Sequence, residues 1–143
     1  MFNPSRDQAR DFFFETWRKY RAQEPLAALE TIVLQVILAH PEYHPALDDP
    51  ERFRDRDYSP ESGEANPFLH MSMHLAIEEQ LSIDQPPGIA SAFAALAAKH
   101  GDRHDAMHDT MECLGEMVWR SQRDRAPPDA AAYLECLRKR AGQ

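Results

Sequence analysis

Two stretches of this chain share one outline. They are His70-Met71-Ser72-Met73-His74-Leu75-Ala76-Ile77-Glu78 and, 34 residues further on, His104-Asp105-Ala106-Met107-His108-Asp109-Thr110-Met111-Glu112. Both read H-x-x-M-H-x-x-[I/M]-E. A histidine pair at i, i+4 directs two imidazoles off one helix face, the spacing by which a helix grips a metal ion. The repetition, each time with a glutamate four residues on, predicts a metal-binding helical protein. The offset equals a tetratricopeptide period, but the outline occurs only twice and lacks that repeat's aromatic pattern. Two equivalent helices feeding one site explain it better.

Working outward, helical periodicity dominates the chain. A first helix opens at Asn3-Pro4 or Ser5 and runs to about Ala22. A second starts at Pro25 and runs to about His40, where Pro41 stops it, because proline disfavours helical geometry in the preceding residue. Asn66-Pro67, a cap followed by proline at the first helical position, opens a third that ends near Ile83. A fourth covers about Ile89 to His100 and stops at Gly101. A fifth is capped by Asp102 and runs to about Arg123, and a last one follows Pro127-Pro128 to about Arg140. No alternating run is long enough for a sheet. The fold class expected is all-α, a compact bundle of about six helices forming a single domain over residues 1–143. One long, acidic stretch rich in proline joins the second and third helices, from Pro41 to Asn66. A loop of that length is either a lid or binding element, or a solvated wrap with a helical turn around Pro50 to Arg54.

An α-helix turns about 100° per residue. With His70 at zero, His74 lies about 40° round and Ile77 and Leu81 fall within about 20° of that sector. Glu78 sits at its margin and Glu79 points away. With His104 at zero, Met111, Gly115, Val118 and Trp119 surround the His104/His108 sector, again with Glu112 at the margin and with Cys113 opposite. Both pairs are thus expected in apolar stripes. On the second helix Glu30 lies among Leu26, Val33, Leu34 and Ile37, near the middle of an apolar face. A buried carboxylate must be protonated, paired with a cation or bound to metal. His40 is nearer the edge of that face, and His44 follows it. The candidate metal ligands are His70, His74, His104 and His108, with Glu30, Glu78, Glu112 and His40 as further ligands or as second-sphere groups that orient imidazole N–H donors. If consecutive helices alternate in direction, His40 reaches the His70 end. The alternative is a buried network of His–Glu hydrogen bonds that fixes helix register. His100 is read as a partner of a helix C-terminus, and Met73 and Met107 as core packing.

The chain has 143 residues, 43% of them apolar, and a net charge of −8. An acidic surface argues against nucleic acid and anionic membranes as partners. No run approaches the roughly 18 apolar residues of a membrane span. The opening residues lack a basic segment followed by an apolar one, so no signal peptide is expected. With only Cys113 and Cys136, and no CxxC, reduced thiols in a cytoplasmic setting are expected. Phe12, Phe13, Phe14, Trp17 and Tyr20 are core aromatics or the surface of a homodimer.

Several stretches resemble a family of small bacterial proteins known as a domain of unknown function. They are Phe2-Asn3-Pro4-Ser5-Arg6, Trp17-Arg18-Lys19-Tyr20, His40-Pro41-Glu42-Tyr43-His44, Asn66-Pro67-Phe68-Leu69-His70, the run from Glu78 to Gly88, and Met111-Glu112-Cys113-Leu114-Gly115. The likeness spans nearly the whole chain and implies no particular activity. A looser likeness is to hemerythrin-like helical-bundle metal proteins, which mix His-x3-His and His-x3-Glu helices. Imidazoles with carboxylates suit a divalent transition metal such as zinc, iron, manganese or nickel, one or two ions, better than calcium or magnesium. The function expected is metal binding, with a metal-dependent hydrolase or oxidoreductase as the activity such a site supports and an unknown small-molecule substrate. The other reading is a non-catalytic adaptor or structural module.

Overall fold

The structure, a computed structural model, describes residues 6–58 and 66–143. The expected opening at Asn3-Pro4 or Ser5, and Pro60 in the long connection, lie outside those residues. The described chain is all α, with no strand: α1 Arg6–Arg21, α2 Ala28–Leu38, a 3-10 turn Pro41–Tyr43, α3 His44–Leu47, α4 Pro50–Phe53, α5 Pro67–Ile83, α6 Ile89–His100, α7 Arg103–Asp124 and α8 Ala130–Arg140. It forms two compact units, Met1–Leu75 and Ala76–Gln143, and the division falls within α5.

In the first unit, Arg10, Phe13, Phe14 and Trp17 recur at i, i+3, i+4 and i+7, so α1 has one buried face. Its aromatics pack with Val33, Val36 and Ile37 of α2, Leu47, and Phe68, Met71 and Leu75 of α5. Phe13, Phe14 and Trp17 are therefore inside the chain's own core, and of the expected interface aromatics Tyr20 is exposed. Phe68 leads the α5 contribution, its ring 5.3 Å from that of Phe14. Asn66 caps α5 as expected, its Oδ1 accepting from the backbone N–H groups of Phe68 and Leu69.

The connection expected as one long loop carries three helical turns instead. Pro41, Pro45 and Pro50 each stand in the first positions of one of them. Proline disfavours a helical residue before it but suits a helix start, since its missing N–H would be unpaired there anyway. The turn at Pro50–Phe53 corresponds to the solvated-wrap reading. Side chains of α1 fasten this segment. Trp17 Nε1–H donates to Asp48 Oδ1 at 2.7 Å. The buried Arg10 guanidinium donates to the carbonyls of Arg54 and Arg56 at 2.9 and 2.7 Å and lies 4.9 Å from the Phe68 ring centroid.

In the second unit α6, α7 and α8 each pack on the other two. Their ends are set locally. Asp84 accepts from the N–H groups of Gly88 and Ala90 at the start of α6, Asp102 from His104, and Asp129 from Ala132. Gly101 ends α6 at φ +70°, the left-handed conformation that favours glycine. Tyr133 donates to Gln80 Oε1 at 2.8 Å, tying α8 to the end of α5. Cys113 and Cys136 are not free thiols. They form a disulfide, with Cα atoms 5.9 Å apart and a sequence separation of 23. Packing α8 on α7 brings them together, which neither helix's own pattern reveals. The bond removes the argument for a reducing compartment that rested on unpaired cysteines. No helix among the described residues is long and apolar enough to cross a membrane.

Two outcomes follow from these fastenings. Arg10→Met keeps the aliphatic stem but loses two charge-assisted bonds, so it should lower unfolding free energy by about 2–4 kcal/mol and speed proteolysis in the 54–58 segment. A change under about 0.5 kcal/mol in a denaturant titration would show the contact to be incidental. Reducing the disulfide opens a loop of intermediate length and should cost about 3 kcal/mol. An unchanged melting temperature after reduction would contradict that.

Candidate metal centre

Helix α2 ends at Leu38, two residues before the expected His40. Pro41 holds His40 out of the helical region, at φ −128° and ψ 66°. The imidazole turns back, and its Nδ1 lies 2.7 Å from the Val36 carbonyl. A carbonyl only accepts, so Nδ1 carries the proton, and in the neutral ring the lone pair is on Nε2. His40 is 2% exposed, more deeply covered than an edge position suggests.

Two histidines of α5 meet it. Ring centroids are 5.0 Å apart for His40 and His70, 4.6 Å for His40 and His74, and 4.9 Å for His70 and His74. His74 is 4% exposed and His70 is half-buried. One ligand-capable nitrogen from each of the three lies within 4.8 Å of the others. The Nε2 atoms of His70 and His74 are 3.2 Å apart. That separation suits one shared proton or one shared cation.

Two neighbours of this cluster carry weak sequence signals. Tyr43 stacks on His40, centroids 5.4 Å apart and planes inclined by 8°. Burial, with Glu42 nearby, pushes its hydroxyl pKa upward. His44 Nε2 donates to the Ile37 carbonyl at 2.9 Å, and its ring packs 4.4 Å from Trp17. The clue to both was their position directly after Pro41 within His40-Pro41-Glu42-Tyr43-His44.

The buried face of α5 extends past its histidines, and that of α7 is centred away from them. Along α5, His74 and Ile77 are buried within about 40° of His70, Phe68, Met71 and Leu75 are buried about 100–160° round from it, and Leu69 is exposed. On α7 the buried residues are Ala106, Met107, Thr110, Met111, Cys113 and Leu114. His104 and His108 stand at the margin of that face, half-buried, with ring centroids 4.3 Å apart. Val118 and Trp119, expected around them, are exposed, and the Arg123 guanidinium lies 4.7 Å from the Trp119 ring centroid. These two histidines belong to the second unit.

Each candidate glutamate has a cation. Glu30 is 7% exposed, and its carboxylate accepts from Ala27 N–H at 2.9 Å and lies 3.0 Å from Lys19 Nζ. Ala27 has no side-chain acceptor, so only the returning half of a capping box forms. Glu30 therefore sits at the start of α2, while His40 follows its end. The Ala27 N–H first, and then the Lys19 ammonium, hold the Glu30 carboxyl below its usual range. Glu78 pairs with Arg103 at 2.6 Å, and Glu112 with Arg140. His100, expected at a helix terminus, contacts Asp109 Oδ2 through Nε2 at 2.6 Å.

A family model described as a domain of unknown function, DUF1841, matches residues 5–139. The chain belongs to that family. No curated protein and no solved structure matches it.

The Glu30 geometry yields a signed pH dependence. Its carboxyl is depressed in the folded state, so its contribution is present above the unfolded value near 4.3 and is lost as pH falls through the folded one. Glu30→Ala should cost about 1 kcal/mol at neutral pH, and the gap to the wild type should close in acid below about pH 4. Metal content should not change. A gap that stays constant from neutral to acid, or a loss of metal, would contradict this role.

Proposed function

We propose that this family member binds a divalent transition metal through His40, His70 and His74. The observation that carries the reading is the convergence of three imidazoles, with His40 held by a backbone carbonyl in the tautomer that leaves Nε2 to coordinate. A backbone acceptor on the far nitrogen is the usual way a protein orients a metal-binding histidine. With metal–nitrogen bonds of about 2.0–2.1 Å, neighbouring ligand nitrogens sit about 2.9 Å apart at right angles and about 3.4 Å apart at tetrahedral angles. The 3.2 Å between His70 and His74 lies inside that interval.

Nitrogen donors favour zinc, iron, manganese or nickel over calcium and magnesium. Three protein ligands leave coordination positions for water or substrate, so hydrolytic or oxidative chemistry on a small molecule is the activity such a centre supports. By the repeated sequence outline, His104 and His108 remain candidate ligands. Glu30, Glu78 and Glu112 stand outside the proposed set, because each carboxylate already has a cation.

A non-catalytic structural module is the second reading. The same 3.2 Å separation is also that of an imidazole–imidazole hydrogen bond, so a buried polar network could fix register without an ion.

Elemental analysis of untagged protein, purified without chelators, separates the two. The metal reading predicts about one ion per chain, and a chelator should cost about 2–3 kcal/mol where the ion is present near 100 times its dissociation constant. His40→Gln with His74→Gln, checked for helicity by circular dichroism, should lose the ion. His104→Ala with His108→Ala, measured alongside, reports whether α7 contributes. Metal-free wild-type protein whose melting is indifferent to added zinc, iron, manganese and nickel would leave the structural module.

A further inference from the structure

The second unit carries a reactive feature that the histidines do not use. Cys113 on α7 and Cys136 on α8 are joined, and both line a cleft of about 530 Å³ that also includes Ser121, Pro127 and Tyr133. The two sulfurs are unequally covered. Cys113 is 1% exposed and belongs to the buried face of α7, whereas Cys136 is partly exposed. Thiol–disulfide exchange is an in-line displacement, so the sulfur that a thiolate can reach is the one attacked, and the other leaves.

The geometry points to Cys136 as a site of reversible thiolation by a low-molecular-weight thiol. The incoming thiolate forms a new S–S bond to Cys136 Sγ. The Cys113–Cys136 bond breaks, its electron pair departs on Cys113 Sγ, and that thiolate takes a proton from water. The product is a mixed disulfide at Cys136 and a thiol at Cys113, with the disulfide oxidation level conserved. A second thiol attacking the mixed disulfide releases the oxidised small thiol and leaves Cys136 reduced.

The cleft volume falls in the range that admits a small ligand, and a tripeptide thiol is of that size. The fold can survive the exchange. Tyr133, Leu134 and Leu137 stay buried on α8, and Tyr133 still donates to Gln80. Lys99 Nζ also donates to the Arg140 carbonyl at 2.6 Å, holding the end of α8 to α6. Opening the bond thus loosens α8 without removing its other anchors. Both sulfurs and the cleft belong to the second unit, and the exchange needs no metal.

The test treats the full chain, oxidised and folded, with reduced glutathione, traps free thiols with N-ethylmaleimide, and maps the peptides by mass spectrometry. Glutathione should be found on Cys136 and maleimide on Cys113. Glutathione on Cys113 in preference, or no mixed disulfide from the native protein at any thiol concentration, overturns the proposal. A second measurement compares single variants. The remaining thiol of Cys113→Ser should alkylate about 10-fold faster or more than that of Cys136→Ser. Equal rates in two folded variants overturn it as well.

Discussion

At the end of α2 the His40 imidazole donates Nδ1–H to the Val36 carbonyl at 2.7 Å, and the candidate centre takes its orientation from that bond. The constraint begins in the backbone. Pro41 forces His40 out of the helix, which frees the imidazole to fold back over the last turn of α2. The carbonyl then fixes the protonated nitrogen, and Tyr43, one turn on, stacks against the ring. His70 and His74 come from a helix whose start is set by the Asn66 cap and whose depth is set by Phe68 against Phe14. Remove the proline or the carbonyl contact and the His40 imidazole has no reason to face His70 and His74.

Around this cluster the buried charges of Arg10 and Glu30 are each met by partners. Arg10 is covered by aromatic rings and donates to two carbonyls of the segment it fastens. Glu30 is covered too, and it takes a backbone N–H and an ammonium. Both follow the rule that a buried charge is costly unless its hydrogen-bonding capacity is used. Glu30 thereby serves α2 as a helix cap, which explains a carboxylate on an apolar face without invoking a metal.

Much of the helical scaffold was legible in the sequence, because its limits are local. Asn66-Pro67, Gly101, Asp102 and Pro127-Pro128 mark ends through capping and backbone preference, and α6 spans the residues read for it. The i, i+4 spacing put His70 beside His74 and His104 beside His108. What depended on distant residues was not legible. Pro41 marks the stop of α2 and a turn around Pro50 is one alternative in the sequence, but that Pro41 and Pro45 also begin turns is not legible, because Arg10 and Trp17 of α1 hold that segment. The partner of Glu30 lies 11 residues earlier in the chain. The disulfide joins residues whose own helical patterns give no hint of pairing. The core face of α5 extends beyond its histidine stripe, because Phe68, Met71 and Leu75 pack with the α1 aromatics. A helical wheel sees the apolar residues of one helix, not which of them a neighbour will cover.

The proposed centre requires that His40 meet a metal through Nε2. Long-range proton–nitrogen NMR of histidine-labelled protein, recorded before and after zinc is added, reads it directly. The predicted result is a His40 Nδ1 that keeps its proton throughout while Nε2 shifts to a coordinated value, together with one nitrogen each of His70 and His74. Imidazole signals unmoved by zinc, or a His40 that loses its Nδ1 proton on binding, would contradict it.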